Sequence, residues 1–164
     1  MCSNCGAAAS VIRGDYDFHE SGLDYVVLNN IEMVRCESCG NIDPIIRNPK
    51  RLMQQLLIGV ASKPGRLEGQ DIRFIRKQLK MTQEAFGRLF HVDKTTVSKW
   101  ENEADQIGEQ SDLLIRSVAI TLSDLSKDLG RKIVEGFGEI ASQHAGSASG
   151  MSLDAANDYE MQPR

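Results

Sequence analysis

The sequence feature that most constrains this chain is a pair of Cys-x-x-Cys motifs near its start. Thirty residues separate the two motifs, and the chain has no other cysteine. The four residues are Cys2, Cys5, Cys36 and Cys39. Two such motifs supply four thiolates, which zinc binds in a tetrahedron, and Gly6 and Gly40 allow the backbone to turn tightly after each motif. The sequence therefore predicts one structural zinc ion per chain, with no coordination position open to water.

Three other roles are open to four cysteines: a redox pair, disulfides and an iron site. A redox Cys-x-x-Cys pair belongs on a βαβ unit, which this sequence does not predict. Disulfides are disfavoured because the sequence shows neither a signal peptide nor a long apolar run, which indicates a reducing cytoplasm. Iron bound by four thiolates stays open, since ligand type alone does not exclude it. His19 lies between the motifs and is interpreted as a surface residue, because four thiolates already complete a site.

The first fifty residues predict a small zinc domain that contains a β-hairpin. Residues 23–28 are rich in β-branched and aromatic side chains, and residues 31–36 alternate apolar and polar types. Asn29 and Asn30 between them give a turn signal, so the two runs are expected to pair. So few large apolar side chains make a poor core, and such a segment usually needs a metal or disulfides to fold on its own. Residues 51–68 are expected to form a short helix and a linker.

Charge is unevenly distributed along the chain. Residues 51–103 carry ten basic and six acidic side chains, whereas the chain as a whole has a net charge of −4. A basic middle between acidic ends suggests an anionic partner, although an uneven solvated surface would give the same count.

Residues 69–102 have the pattern of three short helices, the last two joined by a tight turn. Thr82 can cap the second helix, and Asp93 can cap the third after a three-residue turn, which is the helix-turn-helix arrangement. In the third helix Val97 and Trp100 share the inward face. The opposite face carries lysine, hydroxyl and amide groups, which suit the phosphates and base edges of DNA. These polar residues are Lys94, Thr95, Ser98, Lys99 and Asn102.

Residues 69–125 resemble the Xre family of phage repressor-like helix-turn-helix domains. The resemblance is carried by Thr82-Gln83, by the small residue Gly87, and by residues 92–102 with their Val-Ser-Lys-Trp-Glu-Asn ending. It implies that Gln83 and the N-terminus of the second helix hold a DNA phosphate. It also implies that Lys94, Thr95 and Lys99 read bases, and that a homodimer binds two half-sites of a double-stranded operator. The family usually has glycine at the turn, where this chain has His91, a residue that tolerates the left-handed conformation.

The order of the two regions resembles the MqsA family of antitoxins, which carry a YgiT-type zinc finger before an Xre domain. The four cysteines and residues 34–40 carry this second resemblance. It implies an antitoxin of a type II toxin–antitoxin system, whose zinc domain binds a toxin protein and whose helix-turn-helix domain represses its own operon. A free-standing regulator of the same architecture, without a toxin partner, is the alternative. An enzyme is disfavoured, because the sequence shows no open metal site, nucleophile elbow or phosphate loop.

The last third of the chain predicts a helix followed by a mobile tail. Apolar residues from Ile115 to Leu129 recur at helical spacing, which fits a dimer seam or a core face equally well. A C-terminal helix over residues 126–143 is a candidate for dimerisation, and residues 144–164 are expected to be disordered. The predicted fold is mainly α, with a small β-containing four-cysteine zinc domain before an all-α helix-turn-helix domain with C-terminal helices.

Overall fold

The computed structural model describes residues 1–121 and 150–162. It has a β-sheet with a four-cysteine cluster at one end, followed by five helices, as the sequence predicts. No helix in these residues is long and apolar enough to cross a membrane. The elements are β1 (Ser10–Asp17), β2 (Val26–Arg35), β3 (Ile42–Pro44), α1 (Pro49–Ser62), α2 (Gly69–Gln78), α3 (Gln83–Leu89), α4 (Lys94–Glu101), α5 (Glu109–Thr121), β4 (Met151–Asp154) and β5 (Glu160–Gln162).

Strand β2 is the centre of the sheet. It pairs antiparallel with β1 on one side, and on the other side with antiparallel β3 and parallel β4. Strand β5 adds to β4 at the far edge. The chain leaves β2 directly into Cys36, so the central strand delivers the second cysteine motif.

The predicted hairpin between residues 23–28 and 31–36 is wrong, because residues 26–35, which include most of both runs, form the single strand β2. Asn29 and Asn30 form a bulge opposite Asp15, where the pairing register with β1 shifts. Asn30 has a φ of 53°, and its N–H donates to the Asp15 carboxylate over 3.2 Å. Asparagine enters the left-handed region at low cost, so a single such residue kinks the strand without reversing it. The hairpin forms instead between β1 and β2.

The prediction of a disordered tail is also wrong for residues 151–162, which form β4, β5 and the turn between them. Met151 and Leu153 point into the core, and Tyr159 is buried beside them. The Met151 side chain packs against α1 at Gly59, where a Cβ would lie 2.4 Å from the Met151 Cε. The alternation of Met151 and Leu153 is too short to stand out among small and acidic residues.

Helix α1 lies between the sheet and the other helices. Asn48 caps it by accepting a hydrogen bond from the Arg51 N–H over 3.1 Å, and Pro49 occupies its first turn. Its buried residues, among them Leu52, Leu56 and Val60, belong to a core cluster that runs from the sheet to the helix-turn-helix. The sheet and the DNA-binding helices are therefore packed on one continuous core.

The segment expected to be a linker is packed in place. Lys63 and Leu67 are buried, and Arg116 of α5 donates hydrogen bonds to the carbonyls of Lys63 and Gly65 over 2.8 and 2.7 Å. The expected seam continues past the end of α5, and its positions beyond Thr121 lie outside the described residues, as does the expected helix over 126–143.

Candidate metal centre and nucleic-acid interface

The four cysteine sulfurs converge on one point at the end of the sheet. The Cys2 and Cys39 Sγ atoms lie 3.6 Å apart and the Cys5 and Cys36 Sγ atoms 3.5 Å apart. All four sulfurs lie within 4.8 Å of one another. Zinc–sulfur bonds of about 2.3 Å in a tetrahedron place the sulfurs about 3.8 Å apart. The cluster therefore has the dimensions of a four-thiolate metal site of the zinc type.

The two cysteine motifs form matching turns. The Gly6 N–H donates to the Cys2 carbonyl over 3.1 Å, and the Gly40 N–H donates to the Cys36 carbonyl over 2.9 Å. Gly6 and Gly40 have φ values of 71° and 72°, a region that only glycine enters without cost. Each turn brings two sulfurs to one side of the backbone.

Backbone N–H groups also act on the sulfurs. The backbone N–H of Cys39, together with that of Ser38 and the thiol of Cys5, lowers the pKa of Cys36 to about 6, although desolvation by burial raises it. The Asn4 N–H donates to the Cys2 Sγ over 3.4 Å. These donors favour the thiolate of Cys36, which is the form that binds metal. At Cys5 the backbone of Ala7 acts in the same direction, but the hydrogen bonds with Cys36 and Cys39 raise the pKa to about 12. His19 lies on an exposed 3-10 turn and is not part of the cluster.

The helix-turn-helix is formed by α3, the turn after it and α4. The Thr82 hydroxyl caps α3 by accepting from the Ala85 N–H over 3.1 Å. His91 has a φ of 54°, as its position in the turn requires. The Val92 N–H donates to the Gly87 carbonyl over 2.9 Å, and a Cβ at Gly87 would lie 2.5 Å from the Val92 oxygen. The turn can therefore approach α3 only because residue 87 is glycine.

Helix α4 separates apolar from polar side chains as the sequence predicts. Val97 is fully buried and Trp100 is 6% exposed, so both fix the helix to the core. Lys94, Thr95 and Lys99 are exposed, and Ser98 is half-buried. The polar face of α4 is thus open to an anionic partner.

A buried carboxylate at the end of α4 holds the helix-turn-helix together, and sequence reasoning missed it. Glu101 receives the Arg76 guanidinium through two contacts of 2.5 and 3.0 Å, and the Gln83 amide over 3.0 Å. Arg73 lies 3.5 Å from the same carboxylate. Burial alone would raise the pKa of Glu101, but these donors hold it below its usual value. The available signal was the presence of two arginines one helical turn apart on α2.

The network around Glu101 divides the expected DNA-binding residues into two groups. Gln83 is engaged by Glu101, and the Asn102 side chain accepts from Arg73 over 2.9 Å while it donates to the Ser98 carbonyl over 2.9 Å. Both amides therefore already have partners inside the protein. Lys94, Thr95 and Lys99 are exposed, and Asn102 is exposed as well despite its two hydrogen bonds within the protein.

Comparison with known proteins supports the interpretation of the middle of the chain. The helix-turn-helix family HTH_3 matches residues 72–109, which include most of α2 and all of α3 and α4. No curated protein matches the chain, and no solved structure does. Residues 72–109 are thus similar to helix-turn-helix domains of the Xre type, which are typical of DNA-binding transcriptional regulators.

Proposed function

We propose that this chain is a sequence-specific repressor of transcription that acts as the antitoxin of a type II toxin–antitoxin system. The observation that carries the DNA-binding part is the exposed polar face of α4, opposite the buried Val97 and Trp100. An α-helix with such a face fits the major groove, where base edges can be read. The protein acts without a chemical step, as a binding protein.

Recognition of DNA begins at the N-terminal end of α4. Lys94 and Thr95 lie in the first turn and Lys99 lies one turn later on the same face. In this proposal the three side chains contact bases, Ser98 lies between them, and backbone phosphates are neutralised around them. Gln83 and Asn102 orient the surface through the Glu101 network. A single unit of this size reads few base pairs, so a homodimer on two half-sites is part of the proposal.

The four cysteines hold one zinc ion in this proposal. The dimensions of the cluster and the N–H groups directed at its sulfurs fit a metal of this type. When bound, the zinc supplies folding free energy to the sheet, in a range of roughly 10 kcal/mol or more for structural sites. With the metal bound, residues 1–48 hold a rigid sheet whose solvent-exposed face, called here the outer sheet surface, is available to a partner.

The outer sheet surface is the part of the chain that we assign to the toxin. It includes Val11, which is 64% exposed, and Arg13 beside it. Support for a toxin as the occupant comes from the resemblance of the cysteine motifs to the MqsA family. Inhibition would be steric, since the cysteine cluster leaves no metal position open for a reaction.

A regulator without a toxin is the second candidate. One observation favours it: the sheet shares its core with the DNA-binding helices, which gives the metal domain a structural role without any partner. The two candidates share the DNA-binding mechanism and differ in whether a second protein is bound.

DNA binding is tested on the region upstream of the gene. Fluorescence anisotropy should show binding to this DNA that weakens steeply with salt, because phosphate contacts release counterions. The Lys99→Ala variant should lose about 1–3 kcal/mol of specific binding. The Lys50→Ala variant is the control, because Lys50 is an exposed lysine on α1. Equal affinity of Lys99→Ala and Lys50→Ala would contradict the proposed reading face.

The toxin is tested by native mass spectrometry of the chain purified from its own host with the products of neighbouring genes. The antitoxin proposal expects a dimer with one zinc per chain and a small second protein, whose expression alone arrests growth. A zinc-loaded dimer that never carries a neighbouring gene product would favour the second candidate.

A further inference from the structure

The buried carboxylate of Asp71 joins the metal-bearing sheet to the DNA-binding helices. Asp71 lies in the first turn of α2 and is fully buried. It accepts hydrogen bonds from the Lys63 Nζ over 2.9 Å, from the Glu68 N–H over 2.9 Å, and from the Tyr25 hydroxyl. Its partners thus come from the connection after α1, from the N-cap residue of α2 and from the residue that leads into β2.

Lys63 depends on the same contacts. Its side chain is 5% exposed, and its Nζ lies 3.2 Å from Glu68 and 4.6 Å from the centre of the Tyr25 ring. An ammonium group out of water needs its partners, because an unpaired buried charge is costly. Removal of Tyr25 would therefore take a hydrogen-bond donor from Asp71 and the aromatic ring from beside the Lys63 ammonium group.

Tyr25 is placed by the sheet. It immediately precedes β2, the strand whose other end runs into Cys36. The neighbouring Asp24 N–H donates to the Gln70 side chain over 2.9 Å, so the two residues that lead into β2 both contact α2. Burial and the adjacent Asp71 raise the pKa of Tyr25, which keeps its hydroxyl protonated and able to donate.

Helix α2 in turn fixes α4. A Cβ at Gly69 would lie 2.7 Å from the Glu101 carbonyl oxygen, so the start of α2 touches the end of α4. Arg76 of α2 binds the Glu101 carboxylate. A continuous set of contacts therefore leads from Cys36 through β2, Tyr25, Asp71 and α2 to the helix that faces DNA.

We infer that metal binding at the cysteine cluster controls the folding of the DNA-binding helices, through the contact between Tyr25 and Asp71. This inference rests on the proposed function only for its consequence, which is that DNA affinity depends on bound metal. Loss of the metal melts the sheet, withdraws Tyr25 and loosens α2 against α4. Two independent modules on a flexible linker would behave differently, since their helices would not sense the metal.

Trp100 gives a direct readout of the helix-turn-helix. It is the chain's single tryptophan, it lies in α4 and it is 6% exposed. The full chain is melted under reducing conditions with zinc bound and after zinc is removed by a chelator, and Trp100 fluorescence is followed. We expect the midpoint of the Trp100 transition to fall by about 10 °C or more without zinc, and to return when zinc is added back. A midpoint that stays unchanged without zinc would overturn the inference.

The Tyr25→Phe variant tests the route, since it removes one hydroxyl and keeps the ring. With zinc bound, its Trp100 midpoint should fall by about 3 °C or more. Tyr16→Phe is the matched control, because the Tyr16 hydroxyl donates to Glu20 at the surface. Equal midpoints for the two variants would show that Tyr25 is not the link.

DNA binding separates this inference from the proposed function. A zinc-dependent Trp100 midpoint in a chain that binds no upstream DNA would retain the coupling and contradict the proposed function. Upstream DNA bound equally well with and without zinc would retain the proposed function and overturn the coupling.

Discussion

Arg116 and Asp112 form an ion pair inside the protein, one turn apart on α5, with 2.8 Å between the Arg116 Nε and the Asp112 Oδ2. The rest of the guanidinium donates to the carbonyls of Ala61, Lys63 and Gly65 over 2.7–2.9 Å. Asp112 also accepts from the Leu67 N–H over 2.7 Å. The pair therefore supplies hydrogen-bond partners to the end of α1 and to the connection that follows.

The Arg116→Met variant is expected to lose about 3–5 kcal/mol of unfolding free energy, because it leaves the Asp112 charge buried and unpaired and several carbonyls without a donor. Urea unfolding followed by Trp100 fluorescence measures the loss. Arg66→Ala is the control, since the Arg66–Glu109 pair is largely exposed and such pairs are worth roughly 0–1 kcal/mol. Equal losses in the two variants would contradict the role given to Arg116.

The Gly87→Ala variant should be destabilised by about 1–3 kcal/mol, since a Cβ at this position would lie 2.5 Å from the Val92 carbonyl oxygen. Gly108→Ala is the matched control, because a Cβ there meets no atom within 4 Å. Thermal unfolding of both variants provides the comparison. A Gly87→Ala chain as stable as Gly108→Ala would show that the turn can move away from α3.

The stability of the chain should depend on the protonation of Glu101. Because the folded-state pKa of Glu101 is lowered, its contribution is fully present above the usual pKa of a glutamate and is lost as the pH falls through the folded value. Unfolding free energies of the wild type and of Glu101→Gln, measured from pH 7 down to acid, should therefore converge as the pH falls. A constant difference between the two curves would exclude a titrating Glu101.

The Cys36→Ser variant should lose its zinc and the folded sheet with it, because three thiolates bind the metal less well than four. Metal content and far-ultraviolet circular dichroism measure the two effects. His19→Ala is the control and should keep one zinc per chain, since His19 lies outside the sulfur cluster. Loss of zinc from His19→Ala would assign this histidine to the metal.

The parts of the molecule that the sequence predicts are those specified over short distances. A Cys-x-x-Cys turn or a capped helix is determined by a few neighbouring residues, so the sulfur cluster and the helix-turn-helix could be expected. The pairing of Val26 with Met151 joins residues that are far apart in the chain, and no local sequence pattern predicts it. The burial of Arg116 could not be predicted either, because arginine is mostly exposed unless it is paired, and the sequence does not show its partners.

The bulge at Asn30 shows how a correct local signal leads to a wrong topology. The residue does adopt the turn-type backbone that its side chain favours, with a φ of 53°. Whether one such residue ends a strand or merely kinks it depends on the partner strand, and β1 continues past it with Asp15 opposite the bulge. Likewise, Gln83 meets Glu101, and Asn102 meets Arg73, only in the folded chain.

The parallel pairing of β2 with β4 sets an order of events during synthesis. Residues 26–29 receive their second neighbour only when residues 151–154 have left the ribosome, long after α1 to α5 have emerged. Until then part of the central strand has unpaired backbone groups on one side, which can recruit another nascent chain. The pairing with β4 then satisfies these backbone groups and removes the exposed edge of β2.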